Sequence, residues 1–134
     1  MFLHLLDEEQ KRAFLVLSQR VSMADGEDDF DEIDALEDVK MRMHIDYTPE
    51  MAEVLGDLPL EPFKTTETRA IVMMELLAVI YTDGYLHEAE AALIGEIAAA
   101  FEFDQTQLNT MAEWAMDSLD LKRGADHILG RKTD

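Results

Sequence analysis

The sequence predicts an all-α, single-domain bundle made of two similar halves. Three observations predict it. Apolar residues recur at helical three-and-four spacing from Asp7 onward. The stretch from Ala70 to Tyr81 is apolar almost without interruption, as expected of a helix at the centre of a bundle. An acidic motif, Asp-Gly-x5-Glu, occurs twice, 58 residues apart.

The elements follow in order. Asp7 caps a first helix, with Gln10 as its capping-box partner. Phe14, Leu17, Val21 and Ala24 form its inward stripe, and Asp25-Gly26 ends it. A second helix is expected from about Phe30 to His44, burying Ile33, Leu36, Val39 or the stem of Lys40, and Met43. Between Ile45 and Lys64 the pattern weakens around Pro49, Gly56, Pro59 and Pro62. Thr48-Pro49 reads as the start of a short helix from Pro49 to Leu55, because proline suits the first helical position. The remainder reads as a linker inside one domain, since it keeps many apolar side chains to bury.

Thr66 opens the central helix, which runs to Thr82 and stops at Asp83-Gly84. An alanine-rich helix from His87 to Phe101 comes next. Asp104 and Gln107 form another capping box, opening a last helix over 105–120 with Leu108, Met111, Ala112, Ala115 and Leu119 as its stripe. Past Leu121 one short turn is expected, with fraying from Gly130. The repeat halves are then approximately 7–44 and 66–101 of a single domain, 1–134.

Composition narrows the function. The chain has 134 residues, 48% hydrophobic, so a core of useful size is within reach. It has no cysteine, which excludes disulfides and thiolate metal sites. Asp and Glu number 30 against 11 Lys and Arg, a net charge of −19. Such a surface repels nucleic-acid phosphates and anionic membranes, and suits cations or basic partners. No stretch approaches the ~20 apolar residues of a membrane span, and Met1 to Glu9 lacks the features of a signal peptide. A cytoplasmic protein is expected.

The repeat carries the chemistry. Shifting by 58 residues lays Asp25-Gly26 on Asp83-Gly84 and Glu32 on Glu90. It also lays Val21 on Val79, Leu15 on Met73 and Leu36 on Ile94. Two helical hairpins packed face to face would bring Asp25, Glu32, Asp83 and Glu90 to one end of the bundle. Four carboxylates are hard donors, suited to calcium, magnesium or manganese. Clustered without a cation, they would raise one another's pKa values. The competing reading is structural: Asp29-x-x-Glu32 and His87-x-x-Glu90 have capping-box spacing, so both glutamates would serve helix starts. The EF-hand pattern fails, because Phe30 stands where its glycine belongs and Leu36 where its bidentate glutamate belongs.

Met23-Ala24-Asp25-Gly26 with Glu32, Tyr81-Thr82-Asp83-Gly84 with Glu90, and the stretch from Ile94 to Leu108 resemble the TerB family of tellurite-resistance-associated helical domains. The resemblance spans roughly residues 8–118. It implies a bundle of about seven helices in two similar halves. It implies a divalent-cation face formed by Asp25, Glu32, Asp83 and Glu90. It implies a part in stress or metal resistance through a protein partner, often beside membrane proteins. It implies no established enzyme activity. One departure is Asp28, which stands where the second copy has Leu86.

Other residues fit no catalytic pattern. The histidines His4, His44, His87 and His127 are scattered, and the serines Ser18, Ser22 and Ser118 sit in no nucleophile motif. Glu75, the one charge in the apolar helix, either faces the acidic site or pairs with Arg20, Arg42 or Arg69. Met73, Met74, Tyr81 and Trp114 read as packing residues, although the nine methionines also suit an adaptable partner surface. Three functions therefore compete: a cation-binding TerB-like module, an acidic interaction module with structural motifs, and a metal-dependent hydrolase.

Overall fold

The computed structural model describes residues 2–23, 40–41, 43–81 and 88–130. Within them the chain is all-helical, with no strand. A 3-10 turn at Leu3–Leu5 leads into α1 (Glu8–Ser22). Then follow α2 (Met51–Leu55), α3 (Thr66–Tyr81), α4 (Glu88–Ala100) and α5 (Gln105–Ile128). That is five α-helices among the described residues, against the seven expected. The expected second helix lies mostly outside the described residues, and the expected last turn has merged into α5.

α3 is the hub. It packs against α5, α1, α4 and the N-terminal 3-10 turn, while α1 also meets α2 and α4. Its buried residues Ile71, Val72, Met73, Glu75, Leu76, Leu77 and Ile80 cover most of its circumference, and Met74, Ala78 and Tyr81 on the remaining side are half-buried, as its lack of a polar side requires. α1 contributes Phe14, Leu15, Leu17 and Val21 to the same core, and Met43, Phe63 and Ile97 complete its centre. Each such side chain contributes roughly 1.5–3 kcal/mol by leaving water.

The helix starts follow local chemistry. Asp7 and Gln10 make the reciprocal capping box that their spacing predicts, as do Asp104 and Gln107. Before α3, the Thr65 hydroxyl accepts from the Thr68 amide at 3.1 Å. The start of α2 differs from expectation. Its N-cap is Glu50, two residues after Thr48, and the Glu53 carboxylate accepts from the Glu50 amide at 3.4 Å. The Thr48 hydroxyl instead accepts from the ammonium of the buried Lys40 at 2.9 Å, satisfying one of its N–H donors.

The segment 43–65, which includes α2, is held by side chains from α1 and α3 that bond its carbonyls. Lys11 donates to Met43 O, Gln10 to Pro62 O and Arg69 to Phe63 O. Arg20 donates to both Val54 O and Gly56 O. These bonds satisfy carbonyls that no helix partners, at a place where the chain still buries Phe63 and half-buries Leu58 and Leu60.

Two helix ends share one geometry. His44 and Glu102 hold left-handed backbone, φ 54° and 66°. In each case two amides fold back onto the preceding turn: His44 to Met41 O and Ile45 to Lys40 O, Glu102 to Ala99 O and Phe103 to Ala98 O. This is the Schellman closure, which satisfies carbonyls at a helix end. α5 ends similarly, with Gly130 at φ 73° and its amide bonded to His127 O.

α5 departs from the sequence reading. It continues to Ile128 rather than stopping near 120. Only its first half packs, burying Met111 and Ala115, and residues 120–125 are exposed all round.

Candidate functional site

Of the four expected ligands, Asp25, Glu32 and Asp83 lie outside the described residues, as do Gly26, Gly84 and His87. Glu90 is described. It is the third residue of α4, and only 5% of its surface is exposed. It stands at the head of a stripe, Glu90, Ile94, Ile97, Ala98 and Phe101, which is the core-facing side of α4. Its neighbours Glu88, Ala89 and Ala91 are exposed. The sequence therefore places a carboxylate where helical periodicity asks for an apolar side chain. Burial of that kind is costly unless cations or N–H donors meet the charge, and the helix N-terminus supplies part of what is needed.

Glu75 is the second buried acid, 1% exposed. Its Oε1 accepts from the backbone amide of Phe2 at 3.1 Å. The contact ties the N-terminal turn to α3, and Phe2 also lies against the Trp114 ring on α5, centroids 5.5 Å apart. Of the three arginines considered for Glu75, two have other bonds. Arg20 bonds Val54 O and Gly56 O, and Arg69 bonds Phe63 O and lies over the Phe101 ring at 5.5 Å. Arg42 is outside the described residues. Sequence reasoning missed the Phe2 amide because the two residues are 73 positions apart and a backbone donor leaves no sequence signal.

A third polar group sits at the surface. The Tyr47 hydroxyl donates to the Glu53 carboxylate, 2.5 Å from Oε1 and 2.6 Å from Oε2. The Arg12 guanidinium lies over the Tyr47 ring, 5.1 Å from its centroid. The bond to Glu53 raises the phenol pKa above its ordinary 10.0, aided by burial and the Glu53 charge, with Arg12 opposing.

Among the described residues, no three His, Cys, Asp or Glu side chains gather into a metal-holding group. His4, His44 and His127 are exposed and apart. No helix among the described residues is long and apolar enough to cross a membrane. Comparison with family models, curated proteins and solved structures finds no match for the chain.

Proposed function

We propose that the chain is a TerB-like helical module that binds a divalent cation through Asp25, Glu32, Asp83 and Glu90 and passes that state to a protein partner in stress or metal resistance. The observation that carries the reading is the burial of Glu90 at the head of the inward face of α4. A glutamate needed only for solubility would face water. The equivalence of positions 58 apart supports the two-halved architecture on which the reading depends. α1 and α3 begin at Glu8 and Thr66, and the two left-handed helix ends fall at His44 and Glu102. On that architecture Glu32 holds the place in the first half that Glu90 holds in the second.

Thermal unfolding with millimolar calcium, manganese or magnesium tests the proposal. A cation that binds only the folded state at about 100 times its Kd adds about 2.7 kcal/mol of stability. The double variant Asp25→Asn, Asp83→Asn removes that gain. Melting curves that no divalent cation moves would reject the metal reading.

A second reading has its own observation. Asp7 and Asp104 both serve as helix caps in reciprocal boxes, so this chain uses acids to start helices. In that case Glu32 and Glu90 complete caps, and the net charge of −19 serves to dock a basic partner without metal. Partner capture that falls with salt and ignores chelator is the outcome of this second reading.

A further inference from the structure

Residues 2–6 bridge two helices without belonging to either. The Phe2 amide donates to Glu75 Oε1 on α3 at 3.1 Å, and the Phe2 ring lies against Trp114 on α5, centroids 5.5 Å apart. Leu3 and Leu6 are buried in the core, while His4 and Leu5 face water. Two further bonds are internal to the turn, from Leu5 N–H to Phe2 O and from Leu6 N–H to Leu3 O. A 3-10 helix of three residues is too short to persist alone, so its seat on α3 and α5 gives it its shape.

The boundary with α1 is sharp. The Asp7 amide donates to Gln10 Oε1 at 2.9 Å, and the Gln10 amide to Asp7 Oδ1 at 2.8 Å. α1 therefore starts on its own cap and needs nothing from the turn before it. Gln10 Nε2 also bonds Pro62 O, which fastens the cap to the body of the fold. Leu6 and Asp7 have ordinary extended backbone, with ψ 147° and 176°, and lose no special conformation if the turn swings away. The forces on the turn oppose one another at similar size. Burial of Phe2, Leu3 and Leu6 favours docking, and the ordering entropy of five residues opposes it. Docking also keeps the Glu75 carboxylate out of water, and burying a carboxylate is costly. We propose that residues 2–6 are a strap that opens as one unit at the Leu6–Asp7 link, while α1, α3, α4 and α5 stay folded, and so gates the seat formed by Glu75 and Trp114. Open, the seat is an apolar surface with a carboxylate in it, and a ligand that reaches it must displace the strap. The strap requires neither the cation nor the partner of the proposed function.

Amide exchange on the full chain tests this under native conditions. A strap that opens as a unit gives the Phe2, Leu5 and Leu6 amides one opening constant, about a hundredfold or more above that of Leu76 and Leu77 in α3. The Phe14 and Leu15 amides in α1 stay as protected as those of α3. Fraying would instead give a graded series, fastest at Phe2 and slowest at Leu6, and would overturn the proposal. Exchange of all three at the rate of Leu76 does the same, because the turn would then open only with the core. Leu3→Asp is the second arm. It opens the strap, so Leu5 and Leu6 exchange as unprotected amides while Leu76 and Leu77 remain about a hundredfold or more slower. Emission of Trp114, the one tryptophan, shifts to the red and is quenched more strongly by acrylamide. A variant that fails to fold, or whose α3 amides lose protection with those of the strap, overturns the proposal, since Leu3 would then hold the body itself. Unchanged Trp114 emission in a folded variant also overturns it, because the seat would still be covered.

Discussion

His44 and Glu102, 58 residues apart, close two helix ends in the same way. Each adopts left-handed backbone, at φ 54° and 66°, and each sends its own amide and the next one back to the preceding turn. Met43 and Phe101, the residues before them, are both buried, and Ile45 and Phe103, the residues after, are both half-buried. Neither left-handed residue is glycine, so each end carries strain of about 1–2 kcal/mol. His44→Gly and Glu102→Gly are each expected to stabilise the protein by about 0.5–1 kcal/mol, the relief exceeding glycine's extra chain entropy. Thermal or urea unfolding measures both. A β-branched residue at either place has the opposite effect, so Glu102→Val lowers the midpoint.

Glu75 gives a second expectation. Truncation to alanine leaves a cavity in the hub helix and strips the Phe2 amide of its acceptor. The cost should fall at about 2–4 kcal/mol, in the range of large-to-small core changes. Glu75→Gln keeps an acceptor oxygen and the side-chain shape, and should cost less than half as much. Trp114 is the only tryptophan and packs against Phe2, so its emission reports the N-terminal turn directly. A red shift in Glu75→Ala that Glu75→Gln lacks is the expected pattern. Identical spectra for the two variants would show that the turn is held by its apolar contacts alone.

How far the sequence could be read depended on whether the deciding contact was local. The Asp7–Gln10 and Asp104–Gln107 boxes were legible because cap and partner lie three residues apart. The central position of α3 was legible because it has no polar side to show to water. The start of α2 lies two residues later than the local pattern predicts, and the Thr48 hydroxyl is bonded to Lys40, eight residues back, which no local pattern reveals. The length of α5 was misread for another reason. Periodicity reports the face that is buried, and beyond residue 120 α5 buries almost nothing, so helix and tail look alike in sequence. At the candidate site, the sequence singled out Glu90 from the repeat, but its burial became visible only once α4 was packed against α1 and α3.

Tyr47 makes stability depend on alkaline pH. Its folded-state pKa is raised by the bond to Glu53, so the contribution is fully present below the ordinary phenol value of 10.0. As pH rises through the higher folded-state value the proton leaves, the phenolate faces Glu53, and the contribution is lost. Wild type should therefore lose stability above pH 10.0 more steeply than Tyr47→Phe, with both alike near neutrality apart from the missing hydrogen bond. Melting temperatures from pH 8 to about 11 check this, because that window brackets the tyrosine titration. Parallel curves for the two proteins would show that the contact contributes nothing in solution.

Glu90→Gln separates the two functional readings. A cation ligand repels its neighbours when the ion is removed, so the variant should melt higher than wild type in chelator and respond less to added cation. A cap, by contrast, stabilises its helix through a charge near the N-terminus, and neutralising it costs about 0.3–1 kcal/mol whether or not metal is present. The sign of the change in chelator decides between them, and a calorimetric titration of the same variant with calcium or manganese repeats the decision independently.

Gly124 tests whether the second half of α5 is a helix in solution. A glycine inside a helix costs about 1 kcal/mol relative to alanine. At Gly124 an added Cβ meets open space, so alanine gains that propensity with no clash to offset it. Helicity by circular dichroism should rise in Gly124→Ala. The global melting point should move far less, because residues 120–128 make almost no packed contact and fray without unfolding the core. Amide exchange in this segment should slow in the variant while exchange in α3 stays the same. If the melting point rose by the full propensity difference, the end of α5 would be unfolding together with the core. The projecting helix would then be as firmly built as α3 itself, through contacts other than those of its exposed face.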